Sequence, residues 1–294
     1  IMAIAPNVIM PLFNKFTPLE DASLKARVSA LMQRAGFTAK GFFVMDGSRR
    51  SAHSNAFFTG FGASKRVVFF DTLLKQLSPD EMEAVLAHEL GHFILHRGQR
   101  PSFSCDKESV YSGADTLRTI EREADDFASN LLMPGDLLRE WISDQRIDLH
   151  VLSAIAKRFE VSFEALCIRF IKFTEKRAIL LHWDNGFLKY EWRSRSAVLS
   201  NTRIRRLGDP VEPLRDTVAA DESIAQEWNG IDMSAAVWCV GEQPYMKLQE
   251  FKHSYGGRDR VLTLLILEDA EPRRWDNSWQ DQENFDSFDQ FNSN

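Results

Sequence analysis

The sequence predicts an α+β protein, and three observations predict it. Short apolar runs separated by glycines lead into an amphipathic helix; two further helical patterns follow; alternating apolar segments then fill the last third before a polar tail. A chain of 294 residues exceeds one average domain, and a composition of 44% hydrophobic and 27% charged residues can bury a real core. The expected divisions are residues 1–146, 147–176, 177–270 and 271–294. A net charge of −6 argues against a broad nucleic-acid or anionic-membrane footprint. The three cysteines, Cys105, Cys167 and Cys239, are scattered, which argues against a disulfide framework or thiolate zinc site and fits a reducing cytoplasm. No stretch approaches the roughly 20 apolar residues of a membrane helix. Ile1 to Met10 is interrupted by Pro6 and Asn7 and lacks a basic leader, so it is not read as a secretory signal. A cytoplasmic location is the expectation.

Residues Thr17 to Ala35 are predicted as one amphipathic helix. Thr17-Pro18-Leu19-Glu20 supplies a capping box with proline at the first helical position, and Leu24, Val28, Leu31 and Met32 make the apolar stripe. Strands are expected over Gly41 to Met45, Ser54 to Thr59 and Arg66 to Phe70, punctuated by Gly47, Gly60 and Gly62. Ser78-Pro79-Asp80-Glu81 repeats the capping-box chemistry and opens a second helix.

That helix contains Ala84-Val85-Leu86-Ala87-His88-Glu89-Leu90-Gly91-His92-Phe93, with the pattern His-Glu-x-x-His. His88 and His92 lie one turn apart and project from one face. This spacing lets two neutral imidazoles hold one Zn²⁺, with Glu89 beside the metal as general base for its bound water. Two surface histidines on an ordinary helix would explain neither the apolar face of Val85, Leu86 and Leu90 nor the glutamate at the general-base position. A small sheet leading into such a helix is the order expected of a zinc peptidase. Such enzymes can hold an extended substrate as an added strand on the sheet edge. The segment His53 to Phe58 is a candidate for that edge, with Asn55 and Ala56 as substrate-binding residues; an ordinary half-buried strand is the equal alternative.

A catalytic zinc usually takes three protein ligands and a water. On the residues alone, Glu121, Glu123, Asp125 and His96 are candidates for the third. His96 follows His92 by one turn, and a rise of about 5.4 Å per turn keeps three successive imidazoles off one tetrahedral ion. It reads as a helix-terminal residue favoured by the dipole, just before Gly98. Cys105, a lone loop cysteine, reads as a bystander, and Tyr111 in the same loop is an oxyanion candidate on position alone.

Pro11-Leu12-Phe13-Asn14-Lys15-Phe16, Asp46 to Ala56 (Asp-Gly-Ser-Arg-Arg-Ser-Ala-His-Ser-Asn-Ala) and Lys65 to Leu74 (Lys-Arg-Val-Val-Phe-Phe-Asp-Thr-Leu-Leu) run straight into the metal helix. This region resembles the CAAX prenyl-protease type of membrane zinc endopeptidase. Members of that family have transmembrane helices around it; this chain shows none, so the resemblance stops short of implying a membrane enzyme. Past His92, Phe93-Ile94-Leu95-His96-Arg97-Gly98-Gln99 and Glu121 to Pro134 resemble the ImmA/IrrE family of cytoplasmic metallopeptidases, known for cleaving helix-turn-helix repressors. The sequence thus resembles two zinc-peptidase families joined at a shared motif, as a natural recombinant or an engineered chimera would be. Both families place a glutamate ligand at the start of a Glu-x-x-Ala-Asp/Asn pattern. The resemblance therefore implies Glu121 as third ligand in a zincin-like, gluzincin-type site. Asp125, one turn later, would take a hydrogen bond from a ligand histidine and fix its tautomer. Ala124 and Ala128 are small enough to keep the two helices close.

Ile147 to Phe173 shows two helical patterns around Phe159-Glu160-Val161-Ser162, resembling a helix-turn-helix. As a DNA reader it offers only the isolated charges Arg169 and Lys172, so direct DNA binding is not expected. Strands are predicted at Ile179 to Trp183, Leu188 to Trp192, Ala235 to Cys239, Tyr245 to Phe251 and Val261 to Leu267, with Asp184-Asn185-Gly186 as a hairpin turn. Asp216 to Trp228 reads as polar and partly helical. The ImmA/IrrE resemblance implies a GAF-like sensor domain over these strands. Trp183, Tyr190 and Trp238 are read as core rather than as a ligand box. Glu271 to Asn294, polar and without period, reads as a disordered acidic tail.

The expected protein is a zinc-dependent endopeptidase whose cofactor is Zn²⁺, held by His88, His92 and Glu121, with Glu89 as base and Asp125 orienting a ligand. Its partner is a protein substrate, which the second resemblance implies to be a transcriptional repressor. The alternatives are a non-enzymatic DNA- or protein-binding stress regulator, and an inactive hybrid whose substrate edge and ligand helix do not match.

Overall fold

Pairing between distant strands overrides the first local signal in the chain. Phe16–Pro18 forms strand β1, antiparallel to β2 (Gly41–Met45), with Thr17 opposite Val44 and Pro18 opposite Phe43. The helix expected from Thr17 therefore starts later, as α1 (Ala22–Arg34). Its cap is Asp21, whose carboxylate accepts the Leu24 N–H at 2.9 Å. The structure, a computed structural model, describes residues 15–46, 56–59, 65–96, 114–143, 146–256 and 259–271. Asn55, Cys105, Tyr111 and all but the first residue of the expected tail lie outside the described residues. The chain divides into two units, Ile1–Pro134 and Gly135–Asn294.

In the first unit, β2 pairs in parallel with β4 (Arg66–Phe70), and β4 pairs antiparallel with β3 (Ala56–Thr59). The sheet order is β1-β2-β4-β3, which leaves β3 as an outer strand. Helix α2 (Asp71–Gln76) is short and leads into α3 (Pro79–Leu95). The capping box expected at Ser78 is present: Ser78 Oγ accepts the Glu81 N–H at 3.4 Å, and Glu81 accepts the Ser78 N–H at 2.8 Å. Arg27 and Arg34 of α1 tie to the start of α3, with Arg27 at 2.7 Å from Asp80 and 2.9 Å from Glu83, and Arg34 at 2.9 Å from Glu83. Helix α4 (Ala114–Leu132) packs along α3.

The second unit holds helices α5 (Gly135–Ser143), α6 (Leu149–Phe159) and α7 (Phe163–Phe173). An antiparallel sheet follows, in the order β6-β5-β11-β10-β8. Its strands are β5 (Arg177–Asp184), β6 (Phe187–Arg193), β8 (Gln226–Ser234), β10 (Lys247–Ser254) and β11 (Arg260–Leu267). Between them lie the short helix α8 (Arg195–Leu199) and β7 (Arg203–Ile204), which pairs with β9 (Cys239–Val240). The β5–β6 turn forms at Asn185 and Gly186, with φ of 51° and 82°, as a primed two-residue hairpin requires. Trp183, Tyr190 and Trp238 are all buried in the core.

Two expectations fail here. Ala235–Trp238 is the helical turn α9 rather than a strand, because Ser234 caps it by accepting the Ala236 N–H at 3.3 Å. The stretch from Asp216 to Trp228 contains turns and the start of β8, with no helix. Cys167 and Cys239 are buried thiols: burial pushes Cys239 up to about 12 and Cys167 higher still, so neither offers a thiolate.

Arg177, 1% exposed, is a buried cation of the second unit. Its guanidinium donates to Glu242 at 2.5 Å, Thr202 at 2.7 Å, Ser200 at 2.9 Å and the Glu268 carbonyl at 2.8 Å. Removing one member of such a pair strands the other in low dielectric. Arg177→Met is therefore expected to cost about 3–5 kcal/mol in urea unfolding, and the Arg177→Met/Glu242→Leu double variant to regain part of it.

Candidate active site

Close helix packing builds the site. Gly91 of α3 faces α4, and a Cβ at that position would meet the Ala124 Cα and carbonyl oxygen at 3.1 Å and the Phe127 Cβ at 3.2 Å. Ala124 is fully buried and Ala128 nearly so. The small residues let the two helices approach until side chains from both meet at one point.

Three of the candidate ligands meet there. His88 Nε2 and His92 Nε2 lie 3.0 Å apart, and Glu121 Oε2 is 3.2 Å from each. All three ligand atoms fall within 4.8 Å of one another, the one such group of His, Cys, Asp and Glu among the described residues able to hold a metal ion. The spacing suits zinc. Ligand bonds of about 2.0–2.1 Å at tetrahedral angles put ligand atoms about 3.3 Å apart. The donor chemistry fits as well, because two imidazole nitrogens and a carboxylate oxygen turned on one point suit a shared cation. Burial pushes the Glu121 carboxyl up, but hydrogen bonds and charge from His88 and His92 outweigh it and hold the group at about 2. It is an anion throughout the physiological range.

Behind each histidine stands an acceptor. His88 Nδ1 lies 2.8 Å from Asp125 Oδ1. A carboxylate only accepts, so His88 carries its proton on Nδ1 and turns a lone pair at Nε2 toward the site. His92, 1% exposed, places Nδ1 3.3 Å from His96 Nδ1, and His96 Nε2 is 2.7 Å from Glu123 Oε2. His96 is the C-cap of α3, its N–H bonded to the His92 carbonyl at 2.9 Å. The expectation of a helix-terminal residue holds, but the sequence reading missed its bond to His92. Glu123, weighed only as a metal ligand, is engaged with His96. Glu89, next to His88 on α3, is 4% exposed.

An aromatic trio sets β3 beside this helix. Phe58 of β3, Phe93 of α3 and Phe37 have ring centroids 5.4–5.9 Å apart. Ala56, the candidate substrate contact, begins β3 with its side chain fully buried and pairs with Phe69.

Residues 18–106 match Peptidase family M48, a stretch that includes His88, Glu89 and His92 and ends before Glu121. CAAX prenyl protease 1 of Saccharomyces cerevisiae is 58% identical over 93 residues, 31% of this chain and 20% of that protein. Probable CAAX prenyl protease 1 of Schizosaccharomyces pombe is 50% identical over 95 residues, covering 32% and 20%. The homolog from Arabidopsis thaliana is 51% identical over 96 residues, covering 32% and 23%. A crystal structure of S. mikatae Ste24p aligns at 37% identity and a TM-score of 0.31, covering 54% of this chain and 30% of that one. The chain thus spans about a fifth of the length of these curated relatives. Residues 18–106, under a third of this α+β chain, are thus similar to the peptidases of family M48. M48 is a family of zinc metallopeptidases with the His-Glu-x-x-His pattern, so the matched stretch carries the motif of a Zn²⁺ site.

The relatives also correct the expected cytoplasmic location, because CAAX prenyl protease 1 proteins are a membrane-protein family. Among the described residues no helix is long and apolar enough to cross a membrane.

The Gly91 contact has a measurable consequence. Gly91→Ala must push the helices apart against backbone, which is expected to cost about 1–3 kcal/mol in chemical denaturation. It is also expected to weaken zinc binding in a chelator competition, because Glu121 moves away from both histidines.

Proposed function

We propose that this chain is a zinc-dependent endopeptidase, and the convergence of His88 Nε2, His92 Nε2 and Glu121 Oε2 at 3.0–3.2 Å is the observation that carries the reading. These three residues hold Zn²⁺. Bound there, the metal would lower the pKa of a bound water and polarise the scissile carbonyl. Glu89, adjacent to His88 on the same helix, takes the proton of the attacking water and returns it to the leaving amine. Asp125 holds the His88 ring in the required tautomer. A substrate lies extended beside the outer strand β3, exchanging backbone hydrogen bonds with the segment around Asn55 and Ala56.

The substrate is a protein. The name of the relatives, CAAX prenyl protease, supports a prenylated carboxyl-terminal peptide; the ImmA/IrrE resemblance of residues 93–134 supports a helix-turn-helix repressor instead. In the second unit, the antiparallel sheet and the α6–α7 pair support a GAF-like sensor beside a helix-turn-helix-like segment, with residues 147–176 and 177–270 as its divisions. Arg169, one of two charges available for DNA on α7, is 3% exposed and packs over the Phe173 ring at 4.1 Å. A role in packing the unit suits it better than phosphate contact.

Elemental mass spectrometry of the purified chain tests the metal reading, expected to give one zinc per chain in the parent and little in Glu121→Ala. Glu89→Gln is expected to keep its zinc and lose about 10²–10⁴-fold in peptide hydrolysis. Prenylated peptides and a purified helix-turn-helix repressor, assayed side by side, decide the substrate class. A parent that takes up no zinc on reconstitution, or a Glu89→Gln variant with parental hydrolysis, overturns the proposal.

A further inference from the structure

A chain of polar contacts runs outward from His92, away from the point where the three ligand atoms meet. His96 Nε2 lies 2.7 Å from Glu123 Oε2, and His96 Nδ1 lies 3.3 Å from His92 Nδ1. Both imidazoles are 1% exposed. The protons along this chain follow from one constraint. A carboxylate only accepts, so His96 donates from Nε2. A neutral His96 then presents a lone pair at Nδ1, which accepts the His92 N–H at Nδ1. His92 is left with its lone pair at Nε2, the atom that faces His88 Nε2 at 3.0 Å and Glu121 Oε2 at 3.2 Å. The opposite tautomer of His92 would set two lone pairs against each other at the Nδ1 contact and turn an N–H toward the metal position.

We propose that His96 and Glu123 are positioning residues that act through His92, locking its ring and tautomer for metal binding as Asp125 does for His88. This inference rests on the reading of His88, His92 and Glu121 as the metal ligands. It also gives His96 a role other than ligand, since its two ring nitrogens are directed at His92 Nδ1 and Glu123. The Glu123 side chain is 52% exposed, so its worth lies in fixing an orientation rather than in ion-pair energy. The two helices thereby share the work: α3 and its C-cap supply both ligand histidines and His96, and α4 supplies Glu121 to the metal, Asp125 behind His88 and Glu123 behind His96.

The test is zinc affinity of the full chain, measured by competition with a chromogenic chelator, beside the thermal midpoint of the metal-free protein. Glu123→Ala is expected to leave that midpoint near the parent's and to weaken zinc about 10-fold, within the roughly 10–100-fold range for lost outer partners. Glu123→Gln, which keeps an acceptor, is expected to restore most of the affinity. His96→Leu is expected to weaken zinc at the upper end of that range, and adding Glu123→Ala to it should cost little more, because the two act in series. If His96→Leu fails to fold, the Glu123 pair of variants decides alone. Parental zinc affinity in Glu123→Ala overturns the proposal, as does equal weakening in Glu123→Ala and Glu123→Gln. A parent chain that binds no zinc instead overturns the ligand reading beneath it, and the proposal with it.

Discussion

Helices α3 and α4 approach each other where Gly91 meets the backbone of Ala124, and the reach of Glu121 to both histidines depends on that contact. Two histidines on one helix face can offer only a pair of nitrogens. The third donor must come from another element, and its reach is fixed by how close that element lies. A Cβ on Gly91 would stand 3.1 Å from the Ala124 backbone, closer than packing accepts without a shift. The buried, small-residue seam is therefore what converts a helical motif into a three-donor site.

Around that seam the protein spends carboxylates in different ways. Glu121 faces both histidines, Asp125 backs His88, and Glu123 backs His96. All three leave the same short stretch of α4, and their roles differ only because the facing helix presents a different group to each. The Phe37, Phe58 and Phe93 rings perform the corresponding service for β3, pinning an outer strand beside the helix that carries the ligands. In the second unit, Arg177 is buried with Glu242, and the buried Glu250 accepts from the Trp238 indole at 2.9 Å, so a largely apolar core holds paired charges. The two units thus use charge differently: half-exposed carboxylates gather around the histidines in one, and buried charges fix packing in the other.

How much of this could be read from the sequence depends on whether the cause was local. The capping box at Ser78 and the pattern from His88 to His92 are local and were legible, as was the turn at Asn185 and Gly186. The Thr17 cap was a false local signal, because β1 pairing with Val44 and Phe43 claims the same residues. Ala235 to Cys239 looked like a strand because all its residues are apolar, and one helical turn is too short to show a helical period. Strand β8 escaped notice for the opposite reason: it is an outer strand with mostly exposed or half-exposed residues and no apolar alternation. At the site, helical rise set His96 aside, but position alone could not choose among Glu121, Glu123 and Asp125, because that choice is made by packing between helices. Gly91 was the overlooked clue, a residue without a side chain on the face between two metal-facing histidines.

Zinc K-edge absorption spectroscopy of the zinc-loaded chain tests the arrangement most directly. The account predicts a first shell of two imidazole nitrogens at about 2.0–2.1 Å, with carboxylate and water oxygens at about 2.0–2.2 Å and no sulfur. A shell with three imidazoles would make His96 a ligand and contradict the role given to Glu121, and a sulfur shell at about 2.3 Å would place the metal elsewhere in the chain.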